Sequence, residues 1–270
     1  MNAVVYELGS SGEVVKQMQR ALGEKLGLNI TADGQLGRIS QSALTSYQLT
    51  TGIGVERNAK GPIYGPLTQA KLDPFIQKRY VQLDDMEREA NNLAIELASL
   101  RAVTTVEAKE FGFFKNGFPV ILFERHKFYT NLKTTRGEGF ANKILALRGD
   151  ICNPDPGGYL GKEAEIRRLD AALAIDETAA LMSASWGLFQ IMGFNYKLCG
   201  YPSVQAFVKD MKESEDFQLA AFVRFVKAQP GMWNALKAKN WALFASMYNG
   251  KNYAINLYDK KLASAYKLFA

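Results

Sequence analysis

The chain has 270 residues, enough for two domains or for one large domain with an appendage. Hydrophobic residues make up 47% and charged residues 22%, which is ample for a core, and no stretch approaches the ~18 consecutive apolar residues of a membrane span. The formal net charge of +6 suggests polyanionic surroundings such as nucleic acid, anionic lipid or an anionic cell wall; the basic residues are dispersed, which argues against nucleic acid.

Cysteine and histidine usage excludes further classes. Two cysteines, Cys152 and Cys199, are too few and too widely spaced for a disulfide framework or a zinc site, so free thiols are expected. His126 is the lone histidine, and a histidine-based metal site or triad has no second member. The opening residues lack a basic stretch followed by a long apolar one, so no secretory signal is read there. The expectation is a soluble, monomeric protein with no metal, no organic cofactor and no stable membrane insertion.

In chain order, residues 1–72 read as a small helical module. Val14, Val15, Met18, Leu22 and Leu26 recur at helical spacing behind Ser11-Gly12. A glycine-bearing loop, Asn29 to Gly37, leads into a second helix with Ile39, Ala43, Leu44 and Tyr47 facing inward. A third, short helix is expected to end near Leu72, where Asp73-Pro74 punctuates it, and residues 73–83 read as a linker.

Four elements of this module carry a resemblance: Val14-Val15-x-x-Met18-Gln19-x-x-Leu22, Asp33-Gly34-x-Leu36-Gly37, Ala43-Leu44-x-x-Tyr47-Gln48 and Gly65-Pro66-Leu67-Thr68. They resemble the peptidoglycan-binding type 1 module, with Leu36 where an aromatic is usual and Ser40 where threonine is usual. The resemblance implies a wall-binding role for Asp33, Tyr47 and Gln48. A three-helix structural module without a ligand fits the same pattern.

Residues 84–270 form the second part. Asp84-x-x-Glu87 reads as a capping box for a helix burying Met86, Ala90, Leu93, Leu97 and Leu100, with a possible break at Asn91-Asn92. Helical pattern continues to Glu107. Residues 119–123 are a β-branched and aromatic strand, and beyond Ile144 the pattern is almost wholly helical.

Glu107 closes that helical pattern and Glu124 closes the strand. Two carboxylates facing each other across an apolar cleft suit glycoside hydrolysis, one protonated to donate to the leaving oxygen and the other charged. Phe111, Phe113 and Phe114 follow Glu107 and are expected to crowd its carboxyl, keeping it a proton donor. A solvated helix-end glutamate beside Lys109 and Glu110 fits the spacing equally well. Arg125 after Glu124 is expected to keep that carboxylate ionised, although an ordinary strand-end ion pair explains the pattern too. In the run Ser183 to Gly193, Trp186 and Phe189 suit a groove wall and Gln190 a bond to a sugar N-acetyl group, with core packing as the plain alternative for Phe189 and Met192. Tyr248-Asn249-Gly250 reads as groove lining or as a helix C-cap.

Together these residues carry a second resemblance. Val106-Glu107-Ala108-x-x-x-Gly112-Phe113, Gly117-x-Pro119 through His126-x-Phe128, Ala184 through Gly193, Tyr248-Asn249-Gly250 and Tyr258-Asp259-x-Lys261-Leu262 resemble the phage-type N-acetylmuramidase domain of endolysins. Ala108 stands where that family commonly has serine. More distantly, Glu107, the Gly-Leu-Phe-Gln run and Tyr248-Asn249 resemble goose-type lysozymes and lytic transglycosylases.

The resemblance implies a mainly α protein: a three-helix wall-binding domain, then a lysozyme-like helical domain with a minimal β element. It implies cleavage of the β-1,4 bond between N-acetylmuramic acid and N-acetylglucosamine, with Glu107 as general acid, Glu124 as base or structural carboxylate, and Gln190, Trp186, Phe189, Tyr248, Asn249 and His126 around the substrate. The partner is the peptidoglycan strand, reached in the periplasm after release from the host cytoplasm. A lytic transglycosylase on the same bond, or a non-catalytic wall-binding or virion protein, remains open.

Overall fold

The computed structural model describes residues 4–107 and 111–270. The chain is mainly helical and divides into two compact units. One comprises the residues up to Tyr80 together with Phe113–Phe118; the other comprises Val81–Gly112 and Pro119–Ala270.

The first unit is built on α1 (Glu13–Leu26), α2 (Arg38–Thr50) and α3 (Pro66–Arg79), with a two-residue hairpin pairing β1 (Arg57–Asn58) with β2 (Gly61–Pro62). Val15, Met18, Leu22, Leu36, Leu44, Tyr64 and Leu72 form its core. Buried glutamines tie the loops to this core. Gln19 accepts from the Gly34 N–H at 2.8 Å and donates to Asp33, Gln35 O and Ser40 Oγ at 2.9–3.0 Å. Each amide meets a loop that has no ladder of its own to satisfy its backbone groups. Ser40 therefore takes the inward position on α2, and Ile39, expected inward, is 72% exposed.

The third helix does not stop at Leu72. Pro74 lies inside α3, which runs on to Arg79. A proline there forfeits one helical hydrogen bond, but Ile76 and Tyr80 beyond it are buried, and Asp73 accepts from the Tyr64 hydroxyl. Burial of the last turn offsets the missing bond. The same end of the helix holds the 113–118 segment. Arg79 donates to Gly117 O at 2.6 Å, pairs with Glu24 at 2.9 Å and stacks 3.4 Å from the Phe113 ring centre.

In the second unit, α4 (Leu83–Leu93) starts behind Gln82, whose N–H donates to Asp85 at 2.9 Å, so the cap sits upstream of the expected Asp84-Glu87 pair. The helix ends at Ala94 in the left-handed region (φ 50°) rather than at Asn91-Asn92. α5 (Leu97–Glu107) then runs along α14 (Tyr258–Phe269).

A three-stranded antiparallel sheet, β3 (Ile121–Phe123), β4 (Ala184–Trp186) and β5 (Ile191–Met192), has β4 at its centre. Ile121 pairs with Trp186, and Trp186 with Ile191. Helices α6 (Arg125–Arg136), α7 (Glu138–Leu147), α8 (Ala164–Leu173) and α9 (Glu177–Met182) lie between β3 and β4 in the chain. After β5 come α10 (Val204–Glu213), α11 (Glu215–Lys227), α12 (Pro230–Lys237) and α13 (Trp241–Tyr248). Ser203, Ser214 and Asn240 cap three of these helices through side-chain oxygens, supplying acceptors to N–H groups that have no partner within the helix. No described helix is long and apolar enough to cross a membrane.

Candidate active site

A cleft of about 550 Å³ opens in the second unit. Three helix ends and one hairpin meet there. Glu107 is the last residue of α5, Tyr248 and Asn249 come from the end of α13, Tyr258 from the start of α14, and residues 187–192 from the β4–β5 turn and β5 itself. Phe111, Val120, Asn195 and Phe225 complete the lining.

Glu107 is half-buried, and Asn249 Nδ2 lies 3.1 and 3.3 Å from its two carboxylate oxygens. The Tyr248 hydroxyl donates to Phe189 O at 2.7 Å. Burial pushes that phenol well above its usual range, and the nearby Glu107 carboxylate adds to the effect. Phe189 stacks on Phe222 with ring centres 4.3 Å apart, which stiffens the turn from behind.

Gln190 occupies the left-handed region (φ 48°) and is held there by its own amide. Its Nε2 donates to Gly187 O at 2.8 Å and Val120 O at 3.1 Å, and its Oε1 accepts from Ser185 Oγ at 2.7 Å. Both N–H donors are therefore committed to backbone carbonyls. The side chain shapes the cleft wall, and one Oε1 lone pair remains for a ligand donor.

Several expected neighbours lie elsewhere. Trp186 is 1% exposed and donates through Nε1 to Leu181 O, because a central-strand position with neighbours on both sides is core. Phe113 and Phe114 are buried with the first unit, so Phe111 alone of the three lines the cleft. Ala108, with Lys109 and Glu110, lies outside the described residues.

Glu124 does not line the cleft. It accepts from the Tyr159 hydroxyl at 2.8 Å, and His126 Nδ1 lies 3.1 Å from the same oxygen, off the line a hydrogen bond needs. Arg125, expected to hold Glu124 ionised, instead donates to Asp155 O and Pro156 O at 2.9 and 3.1 Å. The mouth of β3 thus faces the 153–161 loop, which takes up its polar groups. Of the three wall-binding candidates, only Asp33 is exposed. Tyr47 is 6% exposed within the core, and Gln48 is fully buried, donating to Ile63 O and Thr68 Oγ1.

Phe225 and Asn195 went unread in the sequence: one sits on an ordinary amphipathic helix and the other in a short 3₁₀ turn, with no spacing signal. Cys152 and Cys199 are both buried free thiols. Among the described residues, no group of three or more His, Cys, Asp or Glu side chains converges.

Residues 96–270 match the family model for N-acetylmuramidase. This chain belongs to the N-acetylmuramidase family. It is a glycoside hydrolase of that type, and the residues around the cleft fall inside the matched span. The crystal structure of a Burkholderia AP3 phage endolysin is 41% identical in sequence, with a TM-score of 0.68, covering 98% of this chain and 99% of that one. A comparison with curated proteins finds no match.

Proposed function

We propose that this muramidase is a phage lysis enzyme that cuts the β-1,4 bond between N-acetylmuramic acid and N-acetylglucosamine, with Glu107 as proton donor. One observation carries the reading. Among the described residues, Glu107 is the only carboxylate lining the cleft, and it sits beside an amide, a phenol and aromatic rings. Such a lining binds a sugar through ring faces and a few directional polar groups, while the acid reaches the bridging oxygen. The similarity to a phage endolysin over nearly the full length supports the lysis setting. In that setting the protein waits in the host cytoplasm and acts on periplasmic peptidoglycan. Glu124, tied to Tyr159, then holds the 153–161 loop rather than a water molecule.

The single cleft carboxylate also favours a second reading. A cleft with one carboxylate also suits a lytic transglycosylase, in which the substrate closes on itself to a 1,6-anhydro end without water. Mass spectrometry of muropeptides released from purified sacculi separates the two. Hydrolysis is expected to leave reducing ends. Products lighter by one water throughout would make the enzyme a transglycosylase, and absence of any cleavage at this bond would overturn both.

The first unit we assign to the wall. Its support is the motif set quoted above, its three-helix build and the exposed Asp33 carboxylate, held below its usual range by the Gln19 side chain and the Gln35 N–H. A chain beginning at Val81 should pellet with sacculi less than the full-length protein does, while still cleaving soluble glycan strands. Equal pelleting would remove the wall assignment. A tether of this kind acts by raising polymer concentration at the cleft.

A further inference from the structure

The floor of the cleft is held from behind by one face of α11. Gln218 and Glu215 lie three residues apart on that helix, and each is 1% exposed. Gln218 Oε1 accepts from the Leu188 N–H at 2.7 Å, and its Nε2 donates to Met211 O at 2.8 Å and toward Gly112 O at 3.4 Å. Glu215 Oε1 accepts from the Gly112 N–H at 2.8 Å. Gly112 is thus gripped at both its N–H and its C=O, five residues beyond Glu107. Val120 N also donates to Gly112 O at 3.0 Å, and Gly187 N to Val120 O at 2.8 Å. The Gln218 amide therefore joins Gly112 to Leu188, and Val120 links Gly112 to Gly187 beside it.

The fit is close enough to dictate residue types. A Cβ at Gly112 would stand 2.3 Å from Gln218 Oε1, and one at Gly187 would stand 2.5 Å from Gln218 Cδ. Gly187 also has φ +70°, a conformation that glycine adopts at no steric cost. The amide itself is equally particular. It must accept from one backbone N–H and donate to backbone carbonyls at the same time, which neither a carboxylate nor an apolar side chain of equal length can do.

We propose that Gln218, braced by Glu215, is a positioning residue for catalysis: it fixes Gly112, five residues beyond Glu107, against the cleft floor at Leu188. The proposal rests on the reading of Glu107 as the acid. Displacement of reacting groups by about an ångström costs on the order of 100-fold in rate, so a loosened floor lowers kcat before it lowers binding.

The test compares Gln218→Met and Gln218→Glu with the parent and with Glu107→Gln. For each, kcat and KM on soluble glycan strands are measured from about pH 5 to 8, together with melting temperature. Gln218→Met should lose at least about tenfold in kcat, with KM within about threefold, at a temperature where it is fully folded. Gln218→Glu is the sharper arm. Protonated, its acid can accept from Leu188 N and donate to Met211 O, keeping the two short bonds of the amide and losing only the long one to Gly112 O. Ionised, it presents oxygen to two carbonyls. Its kcat should approach the parent at the acid end and fall with rising pH along a limb the parent lacks. Activity that merely tracks the folded fraction, parent-like kcat in both variants, or failure of both to fold would each reduce Gln218 to a structural residue and overturn the proposal. Parent-like cleavage by Glu107→Gln overturns the acid assignment instead, a result distinguishable from any of these.

Discussion

Replacing Glu107 by glutamine should lower glycan cleavage by about 100- to 10,000-fold, the range general-acid groups contribute, without unfolding the protein. The fold is expected to survive because the site already holds the means to accommodate an amide. Asn249 Nδ2 faces the Glu107 oxygens, and its Oδ1 is buried with no hydrogen-bond partner among the described residues. Turning that amide over lets the two side chains pair donor to acceptor. The loss should fall on kcat, with binding to sacculi by pelleting unchanged. The companion substitution Glu124→Gln supplies the contrast. Its oxygen accepts from Tyr159, a hydrogen bond a glutamine carbonyl can also accept, and it stands outside the cleft lining. Activity within about tenfold of the parent is therefore expected for it. Equal, severe losses in both variants would restore Glu124 as a second reacting carboxylate. Full lysis by Glu107→Gln would end the assignment of the acid.

How much of this arrangement is legible in the residues depends on where the information resides. Glu107 and Asn249 are 142 positions apart and meet in the cleft. No periodicity joins them; they are found because short runs with unusual composition flag each segment separately. Helices with a clear apolar stripe are equally visible, as α1 and α5 show. What stays hidden is decided by tertiary partners. Pro74 reads as a stop, yet burial of Ile76 and Tyr80 carries the helix past it. Glu124 reads as facing a cleft because it ends a strand, but a strand's mouth can face any loop, and here it faces Tyr159. Tyr47 and Gln48 belong to the same set of motif elements as Asp33, but the core-facing side of α2 holds the first two, while the third lies in the exposed loop before that helix. Trp186 lies in a run rich in cleft residues, but it belongs to the central strand, which is buried throughout, while Phe189 and Gln190 lie in the turn that lines the cleft. Polar residues with full hydrogen-bond sets, such as Gln218 and Glu165, carry no mark in sequence at all.

Glu165 and Arg168 should give the largest loss of stability. Glu165 is fully buried and Arg168 is 4% exposed, with 2.7 Å between Arg168 Nη1 and Glu165 Oε2. Glu165 also accepts from Leu160 N, Gly161 N and Phe123 N, while Arg168 donates to Phe123 O and Asp150 O. One ion pair thus joins the end of β3, the 157–161 loop and the segment after α7. Removing a single partner, as in Glu165→Gln or Arg168→Met, leaves the other charge buried and should cost about 3–5 kcal/mol in urea unfolding. Changing both together to apolar residues should cost less than the sum of the two.

The pair also sets a pH dependence. Burial by itself would raise the Glu165 pKa; hydrogen bonds from Gly161 and Leu160 and the Arg168 guanidinium outweigh it, and the carboxyl is held below its ordinary 4.5. A carboxyl whose pKa is lower when folded binds fewer protons in the folded state than in the unfolded one. Its contribution is therefore complete above the unfolded value and is lost as pH falls through the folded value. The stability difference between the parent and Glu165→Gln, measured by urea unfolding at successive pH values, should stay constant from neutrality down to about pH 5 and shrink below it. Subtracting the variant removes the parallel contributions of Asp150 and Glu96, whose carboxyls are also held low. A difference that grows on acidification would mean that Glu165 is buried as the neutral acid, with Arg168 balanced by the backbone carbonyls alone.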